Sequence, residues 1–484
     1  MPAIPPELMH PELMVIGDSL SQGCRSLSVT RPFCQQSWPA RVAKCQGWNF
    51  LVPDFPRPIL FDLEEEVRQL GDLVQISPKD IRFQGLLGRF FTNLRAWLAN
   101  KVESKLTCFD NLGLAGCQPY DLYARTAATS NAEIQTLCPE GSLVKALDLG
   151  NVGKLHLAIN GRFVLNPSQA SQFNGLTPLD WVEARQPKWV LFQCGHNNGF
   201  YAIGADADPA NLDFSKPNDN GDDFYGSFAK IAARLAALPE PTQVVVLLLP
   251  KIGAVANLAP SDNSRLNGYA PYYSAAFSTS KTTLTGPVLS DVDRSVMAAN
   301  AKLRQIFTDA ATAAQHPKRF LFVDTFELFN TIDYKNSLVT GDRIVVDSEE
   351  TIDNYYLHGD LVFQRPFPPG TPLWKKILQQ GGFQSIDGMH PTGCGYAYIA
   401  FRVVETMQLG GADLSKMLEQ AYLDDSLLHD FPLKLDLLIS VLAELRRLSR
   451  TGPAPVQPQS TLAEGGTAPH LIDIIEMAQK IFKR

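Results

Sequence analysis

Three residues near opposite ends of the chain could together supply a nucleophile, a base and an acid. Ser19 lies in Gly17-Asp18-Ser19-Leu20. The other two residues are the first and the last of the motif Asp387-Gly-Met-His390. A serine hydroxyl is a weak nucleophile at neutral pH, so it needs an imidazole that takes its proton and a carboxylate that orients the imidazole. The Cα atoms of Asp387 and His390 are at most roughly 11 Å apart even in extended chain. These residue types predict acyl transfer through Ser19.

Each of these two motifs also has a purely structural interpretation. Asp18 and Ser19 are both good helix N-cap residues, so the first motif could simply begin a helix. Asp-x-x-His is a common string and could form a polar turn ahead of a helix. The prediction of a catalytic site therefore depends on other segments that would serve the same reaction.

Two segments between these motifs could stabilise a negatively charged oxygen. They read Asn111-Leu-Gly-Leu-Ala-Gly116 and Gly195-His-Asn-Asn-Gly199. A tetrahedral intermediate requires hydrogen-bond donors directed at its oxygen. Glycine lets a backbone N–H approach closely, and an asparagine amide supplies a second donor. Each segment alone would be an ordinary turn, but together with Ser19 the two indicate an oxyanion hole.

The order and content of these four segments resemble the SGNH (GDSL-type) hydrolase family. The resemblance implies a flavodoxin-like three-layer α/β fold with a parallel sheet, and a serine ester hydrolase that requires no metal or organic cofactor. It implies that Ser19 is the nucleophile, His390 the base and Asp387 the orienting acid. It further implies an oxyanion hole made by the N–H groups of Ser19 and Gly116 and by the Asn197 side chain.

One position departs from the family pattern. The third segment usually reads Gly-x-Asn-Asp, whereas this chain has Asn198 in fourth place. An amide can accept a hydrogen bond there but carries no charge. The matching motifs cover only a few dozen residues, and they leave the substrate open.

Several substrates would suit this site. A lipase, esterase or lysophospholipase is the first interpretation, because the chain has aromatic insertions and an amphipathic tail. A carbohydrate O-acetylesterase is the second, because Gly-His-Asn with aromatic loops also suits sugars, and acyl transfer to an alcohol would use the same residues. A non-catalytic binding protein of this fold is the third, and the complete set of catalytic residue types argues against it.

The candidates for substrate binding are His196, Tyr272, Tyr273, His358 and Trp374. His196 adjoins Asn197 and could touch the site, although nothing orients it as the base. The other four lie in long aromatic segments of a kind that often forms lids or binding loops. We hypothesise that these aromatic residues line an acyl or glycan pocket, the alternative being local packing. His358 and Asp324 are the alternative base and acid.

The elements that must position these residues alternate between apolar strands and amphipathic helices. Apolar runs predict strands at 13–16, 109–114, 189–192, 244–249 and 320–323. Helical spacing of apolar residues predicts helices at 61–70, 86–98, 224–238 and 291–314. Such alternation is typical of a parallel sheet covered on both faces, whose ligands bind beyond the carboxyl ends of the strands. The first three motifs all follow predicted strands at that edge.

Two other segments carry specific predictions. Residues 154–165 alternate apolar and polar side chains around Asn160-Gly161, which predicts a β-hairpin. Residues 201–223 are rich in Asp, Asn and Pro. Lys216 stands where a calcium loop needs its first aspartate, so a solvated loop is predicted instead.

The organisation along the chain follows from the spacing of the motifs. Residues 1–410 are predicted to form the hydrolase domain, with insertions at about 21–107, 200–223, 254–290 and 331–385. Residues 411–450 form a helical extension with helices at 414–422 and 435–448, and 451–469 a flexible linker. Residues 470–484 form an amphipathic helix that is expected to dock on the body. Contact with a partner or a membrane surface is the alternative.

Composition fits a globular enzyme, and the resemblance implies that its substrate is a small-molecule or lipid ester. The chain has 484 residues, 45% of them hydrophobic, and a net charge of −7. This charge argues against nucleic-acid binding, and no apolar run reaches the length of a membrane span. The absence of a Cys-x-x-Cys pair argues against structural zinc.

The first residues lack the features of a signal peptide, which favours the cytoplasm. Secretion or periplasmic export, with possible disulfides, is the alternative; the oligomeric state is left open.

Overall fold

The structure of this protein is a computed structural model. The structure describes residues 2–425 except 71–80, 101–103, 140–148, 211, 219, 262–263, 265, 276–282, 334, 336–343, 348–349, 353–369 and 371–382. The predicted helix at 435–448, the linker at 451–469 and the terminal helix at 470–484 therefore lie outside the described residues.

Strands and helices alternate along the described chain. The strands are β1 (Leu13–Gly17), β2 (Asn111–Gly113), β3 (Trp189–Gln193), β4 (Gln243–Leu247), β5 (Leu258–Pro260), β6 (Tyr272–Ala275), β7 (Thr283–Thr285), β8 (Phe320–Val323), β9 (Ile344–Asp347) and β10 (Glu350–Ile352). The first eight helices are α1 (Ser19–Gln22), α2 (Arg31–Gln36), α3 (Trp38–Gln46), α4 (Leu63–Leu70), α5 (Ile81–Leu98), α6 (Asp121–Ala124), α7 (Ala127–Leu137) and α8 (Leu149–Leu165). The remaining helices are α9 (Pro178–Arg185), α10 (Phe200–Asp206), α11 (Phe224–Ala236), α12 (Gly286–Ala313), α13 (Thr325–Thr331), α14 (Gly393–Met407) and α15 (Leu414–Asp424).

The central sheet is parallel and has the order β2-β1-β3-β4-β8. Counting only its own strands along the chain, this order is 2-1-3-4-5, the order of flavodoxin-like sheets. Strands buried on both faces must be apolar throughout, and residues 13–16 and 190–192 are completely buried. All five strand predictions are thereby confirmed, as are the four predicted core helices and the helix at 414–422, within a few residues at their ends.

Helices cover both faces of this sheet. Successive strand residues point to opposite faces, and two neighbours in β3 illustrate the arrangement. Phe192 packs against Phe228 of α11 and Phe307 of α12 on one face. Gln193 accepts a hydrogen bond of 3.1 Å from the indole N–H of Trp38 in α3 on the other. The chain is therefore an α/β protein with helix layers on either side of a parallel sheet.

The hairpin prediction for residues 154–165 is wrong, because this segment lies within α8. Its buried residues Leu155, Ala158, Ile159 and Phe163 also follow helical spacing, which the alternating pattern concealed. The Gly161 position faces α7 so closely that a Cβ atom there would lie 2.6 Å from Ser130 Oγ. Close helix packing, rather than a turn, therefore accounts for this glycine.

Two segments expected to be irregular contain regular structure. Helix α10 occupies the start of the predicted loop at 201–223. Strands β5, β6 and β7 form a small antiparallel sheet within the predicted insertion at 254–290, where an irregular aromatic segment was expected. Within the ranges given above, no helix is long and apolar enough to cross a membrane.

Candidate active site

The carboxyl ends of three neighbouring strands bring the first three motifs together. In the register of the sheet, Gly17 of β1 lies beside Gly113 of β2 and Gln193 of β3. A Cβ atom at Gly17 would lie 2.1 Å from the Gln193 carbonyl oxygen, so only glycine fits between the strands here. Each motif continues directly from this register position and therefore reaches the same edge of the sheet.

Ser19, His390 and Asp387 form a continuous hydrogen-bonded chain. Ser19 is the first residue of α1, and its Oγ lies 3.2 Å from His390 Nε2. The other ring nitrogen of His390, Nδ1, lies 2.7 Å from Asp387 Oδ2. All three side chains are buried, although they come from segments that are 371 residues apart. The fold thus brings the three predicted residues together in the order nucleophile, base and acid.

The loop around Asp387 holds its carboxylate in place. Oδ1 accepts hydrogen bonds of 2.8 Å from the N–H groups of Met389 and His390, and one of 3.2 Å from Ser385 Oγ. Burial would raise the pKa of Asp387, but the charge and hydrogen bonds of His390, with the Met389 N–H, lower it below its ordinary value. Asp387 is therefore a charged carboxylate at neutral pH.

The surroundings of His390 favour its protonated form. Burial opposes the imidazolium, but the neighbouring Cys24 sulfur and the Asp387 carboxylate favour it, and together they hold the pKa of His390 well above its ordinary value. A base with a raised pKa binds the proton of Ser19 more strongly. Below this raised pKa, His390 is mostly protonated and cannot act as a base. The neutral form becomes more abundant as the pH rises through the pKa.

The three predicted oxyanion donors lie around the start of α1. Within the described chain, the backbone N–H groups of Ser19 and Gly116 donate to no protein acceptor. The Asn197 amide donates one hydrogen bond of 2.8 Å to the Cys117 carbonyl, which anchors the side chain. Since a carboxamide has two N–H donors, the second is left for a ligand. These three groups therefore keep N–H donors that an external negative charge could use.

A carboxylate that the sequence did not indicate orients His196. Its Nδ1 lies 2.6 Å from Oδ2 of Asp18, the buried residue directly before Ser19. Asp18 also caps α1, because its Oδ1 accepts from the Leu20 N–H at 3.2 Å. Asp18 thus caps the helix that begins with Ser19 and also orients the imidazole of His196. The contact between Asp18 and His196 joins residues that are 178 positions apart in the sequence.

The remaining substrate-binding candidates differ in their placement. Tyr272 is 52% exposed on β6. Tyr273 is buried, and its hydroxyl accepts a hydrogen bond of 2.8 Å from the Ala270 N–H, so it packs locally. Asp324, the alternative acid, caps α13 and contacts Arg304 instead. His358 and Trp374 lie outside the described residues.

Sequence reasoning missed a turn that supports the Asp387 carboxylate. Arg25 and Ser28 exchange backbone hydrogen bonds of 3.0 and 2.9 Å around Ser26 and Leu27, whose φ angles are 51° and 56°. This turn directs the Leu27 N–H at Asp387 Oδ2, at 2.8 Å. Nothing in the sequence indicated it, because left-handed turn positions normally carry Gly or Asn.

A buried ion cluster stabilises this turn. The Arg25 guanidinium lies 2.6 Å from Glu64 Oε2 and 2.8 Å from Asp425 Oδ2. Ser26 Oγ also donates to Glu64, at 2.6 Å. The cluster joins the turn to α4 on one side and to the end of α15 on the other, so both elements support the loop that carries Asp387.

We expect Arg25→Met to lower the free energy of unfolding by about 3–5 kcal/mol, because it leaves two buried carboxylates without their cation. The shift of the unfolding midpoint in denaturant or heat measures this loss. Lys188→Met is the matched control, since it breaks an exposed ion pair with Glu12 and should cost less than about 1 kcal/mol. Equal shifts in the two variants would contradict a stabilising role for the Arg25 cluster.

A second missed residue joins the nucleophile helix to the oxyanion loop. Gln22, the last residue of α1, accepts a hydrogen bond of 2.9 Å at Oε1 from the Ala115 N–H. Its amide also exchanges two hydrogen bonds of 2.8 Å with Asn160 of α8. The buried Gln22 side chain therefore holds the loop that carries Gly116 at a set distance from Ser19.

No metal site accompanies these residues in the described ranges, where no group of three or more His, Cys, Asp or Glu could hold an ion. All eight cysteines are free thiols. Two of them, Cys117 and Cys194, lie with their sulfur atoms 3.9 Å apart beneath the oxyanion loop. Burial raises the pKa of both thiols, so they pack as neutral side chains.

No family model fits the sequence, and no curated protein matches it. The function of this site must therefore be argued from its geometry.

Proposed function

We propose that this chain is a serine ester hydrolase of the SGNH (GDSL-type) family. The observation that carries the proposal is the buried hydrogen-bonded chain from Ser19 Oγ through His390 to Asp387. Its position at the carboxyl edge of a sheet of order 2-1-3-4-5 supports the family assignment. The Ser19 and Gly116 N–H groups have no acceptor among the described residues, and the Asn197 amide keeps one N–H beyond its bond to the Cys117 carbonyl, which supports the donors that acyl transfer requires.

The first half of the reaction forms an acyl-enzyme. Ser19 Oγ attacks the ester carbonyl carbon while His390 Nε2 takes the hydroxyl proton, and Asp387 stabilises the resulting imidazolium. The carbonyl oxygen becomes an oxyanion that the Ser19 and Gly116 N–H groups and the Asn197 amide hold. The bond to the leaving alcohol then breaks, and His390 gives that alcohol its proton.

The second half of the reaction releases the acid. His390, now neutral, takes a proton from water, and the hydroxide oxygen attacks the acyl carbon of Ser19. The same three donors hold the second oxyanion. The bond to Ser19 Oγ breaks, Oγ regains a proton from His390, and the carboxylic acid leaves. An alcohol in place of water would give acyl transfer through the same steps.

The proposal is tested by a fluorophosphonate probe and a series of p-nitrophenyl esters from acetate to palmitate. The probe should label the protein at Ser19, as peptide mass spectrometry would identify. The chain-length optimum would separate an acetylesterase from a lipase. If the folded protein neither accepts the label nor hydrolyses any ester of the series, the proposal is wrong and the chain is better regarded as a binding protein.

Removing the Asn197 amide donor should destabilise the transition state more than the bound substrate. We expect Asn197→Ala to lower kcat by about 10²-fold, near 3 kcal/mol, as for the loss of one oxyanion donor. Steady-state kinetics on a p-nitrophenyl ester provide the measurement. Gln118→Ala is the control, because Gln118 donates to the Asn197 carbonyl at 3.2 Å and supports the loop without supplying the donor. A loss below tenfold in Asn197→Ala would show that this residue is misassigned.

A further inference from the structure

The loop of residues 387–390, which carries the proposed acid and base, is contacted by the segment directly before β5. Ala256 donates a hydrogen bond of 2.8 Å from its backbone N–H to Gln384 Oε1, three residues before the loop. Asn257 donates one of 3.0 Å from its backbone N–H to the Gly388 carbonyl. A Cβ atom at Gly388 would lie 2.9 Å from the Asn257 nitrogen, so the two main chains are in close contact. Asn257 therefore lies directly against the 387–390 loop.

The side chain of Asn257 extends this contact to α10. It is completely buried, and its Nδ2 donates a hydrogen bond of 2.7 Å to the Gly204 carbonyl in that helix. The same helix approaches the 387–390 loop, because a Cβ atom at Gly204 would lie 3.4 Å from Met389 Sδ. Asn257 thus joins the 387–390 loop to α10, with its backbone N–H bonded to the loop and its amide bonded to the helix.

Helix α10 continues from the segment that supplies the proposed amide donor. Only two residues separate Asn197 from Phe200, where α10 begins. The 387–390 loop, in turn, holds His390 Nε2 at 3.2 Å from Ser19 Oγ. Asn257 therefore links the loop of the proposed base to the helix that follows the proposed oxyanion donor, although it belongs to neither.

The turn at Ser26 and Leu27 contacts other residues of the same region. The Ser26 N–H donates to Ser385 Oγ at 3.0 Å, and the Leu27 N–H donates to Asp387 Oδ2 at 2.8 Å. Those contacts reach the proposed acid and the serine that bonds it. The contacts of Asn257 reach Gly388 instead and, through α10, the residue directly before His390. The two supports are therefore not equivalent.

We infer that Asn257 is a positioning residue of this site, whose buried amide maintains the distance between His390 Nε2 and Ser19 Oγ by holding the 387–390 loop on α10. This inference rests on the proposed ester hydrolase function. Proton transfer requires the two atoms within about 2.6–3.2 Å of each other, and the distance of 3.2 Å is at the long end of that range.

A small movement of the 387–390 loop would therefore be costly. Loss of the Asn257 amide would remove the donor from the Gly204 carbonyl, and a buried polar group that loses its partner drives its surroundings to rearrange. A misplacement of about 1 Å can lower a rate by about 10²-fold. Binding of the ester does not require the proton transfer, so its affinity should change much less.

Replacing Asn257 by alanine tests the inference. Asn257→Ala should lower kcat for p-nitrophenyl acetate by about 10- to 100-fold and leave KM within about threefold of wild type. Rates are expressed per active site, which exhaustive fluorophosphonate labelling counts. A merely structural role would lower the melting temperature, Tm, without this split between kcat and KM.

Asn166→Ala is the matched control. Asn166 is also buried, and its Nδ2 donates a hydrogen bond of 2.9 Å to the main-chain carbonyl of Ala170, between α8 and α9. This variant should lower Tm about as much as Asn257→Ala but leave kcat within about threefold of wild type. If kcat of Asn257→Ala changed as little as that of Asn166→Ala, Asn257 would only support the fold and the inference would be overturned.

A second variant separates the hydrogen bond from the space that the side chain fills. Leucine is close to asparagine in size and branching but has no donor. Asn257→Leu should therefore lose about as much kcat as Asn257→Ala. Wild-type kcat in Asn257→Leu would show that only the volume matters, which contradicts the inference. Failure of both variants to fold would show that Asn257 supports the whole fold and would count against it equally.

Failure of the inference can be told apart from failure of the proposed function. If wild type is labelled by the fluorophosphonate and both Asn257 variants keep its kcat, the hydrolase function stands and the positioning role is wrong. If wild type is not labelled and hydrolyses no ester, the hydrolase proposal itself fails, and the inference fails with it.

Discussion

Ser19→Ala should lower kcat for p-nitrophenyl ester hydrolysis by about 10⁵- to 10⁶-fold, the loss expected when a catalytic serine is removed from a triad. The reason is that no acyl-enzyme can form once Oγ is absent. Ser19 Oγ lies 3.2 Å from His390 Nε2, within reach of the proton transfer that the mechanism requires. The measurement is steady-state hydrolysis, together with loss of fluorophosphonate labelling.

The neighbouring serine of the same helix provides the control. Ser21 lies two residues further along α1, and its hydroxyl donates to the Gln193 carbonyl at 3.4 Å and not to His390. Ser21→Ala should change kcat by less than about tenfold, since it removes one weak hydrogen bond. If Ser19→Ala kept more than a few per cent of the activity, the nucleophile would have to be sought elsewhere.

Asp387→Asn should lower kcat by about 10⁴-fold, because the amide would hold His390 in the wrong tautomer. Three donors surround Oδ1: the N–H groups of Met389 and His390 and the hydroxyl of Ser385. The amide oxygen would therefore take the Oδ1 position, and the amide nitrogen would take that of Oδ2. Nδ1 of His390 would then have to accept a hydrogen bond, which leaves the proton on Nε2, facing Ser19.

The pH profile provides an independent readout of the same substitution. In wild type, Asp387 helps to raise the pKa of His390, so kcat/KM should increase as the pH rises through that pKa. Without the carboxylate the imidazolium is less stable, and the increase should move to lower pH in Asp387→Asn. Slow fluorophosphonate labelling should persist, since Ser19 is still present. Asp324→Asn, which changes an exposed helix cap, is the control and should leave both kcat and the profile unchanged.

If instead the profile of Asp387→Asn coincided with that of wild type, Asp387 would not be the group that polarises His390. If Asp387→Asn lost folded structure as well as activity, the activity loss would be explained by disruption of the loop and not by removal of the acid. Circular dichroism of the variant separates these outcomes. Leu27 also contacts Oδ2, at 2.8 Å, so a modest loss of stability is expected in any case.

Local patterns predicted most of the secondary structure. The apolar runs that became β1, β3 and β4 are continuous because both faces of a parallel strand are buried, and such runs are visible in sequence. The segment of α8 was mispredicted because its apolar residues satisfy strand and helix spacing alike. Only its packing on α7, through Gly161, determines which of the two periods the chain adopts.

In the candidate site, too, the local contacts could be predicted from the sequence and the long-range contacts could not. Asp387 and His390 are three residues apart, so a short loop is enough to bring them together, and the motif around Ser19 is just as local. The contacts of Arg25, Leu27 and Gln22 could not be predicted, because they join segments far apart in sequence. The link between Asp18 and His196 was missed for the same reason, since it spans 178 residues.

The sequence by itself determined the types of reacting residues, the alternation of strands and helices, and the edge of the sheet at which the motifs would meet. These properties follow from short-range spacing and from which side chains must be buried. Only the tertiary structure decided that Ser19 Oγ faces His390 and that a strained turn supports the acid. It also decided that a second imidazole is held beside the nucleophile by Asp18. Those arrangements depend on hydrogen bonds between distant segments, and such geometry exists only after the core has packed.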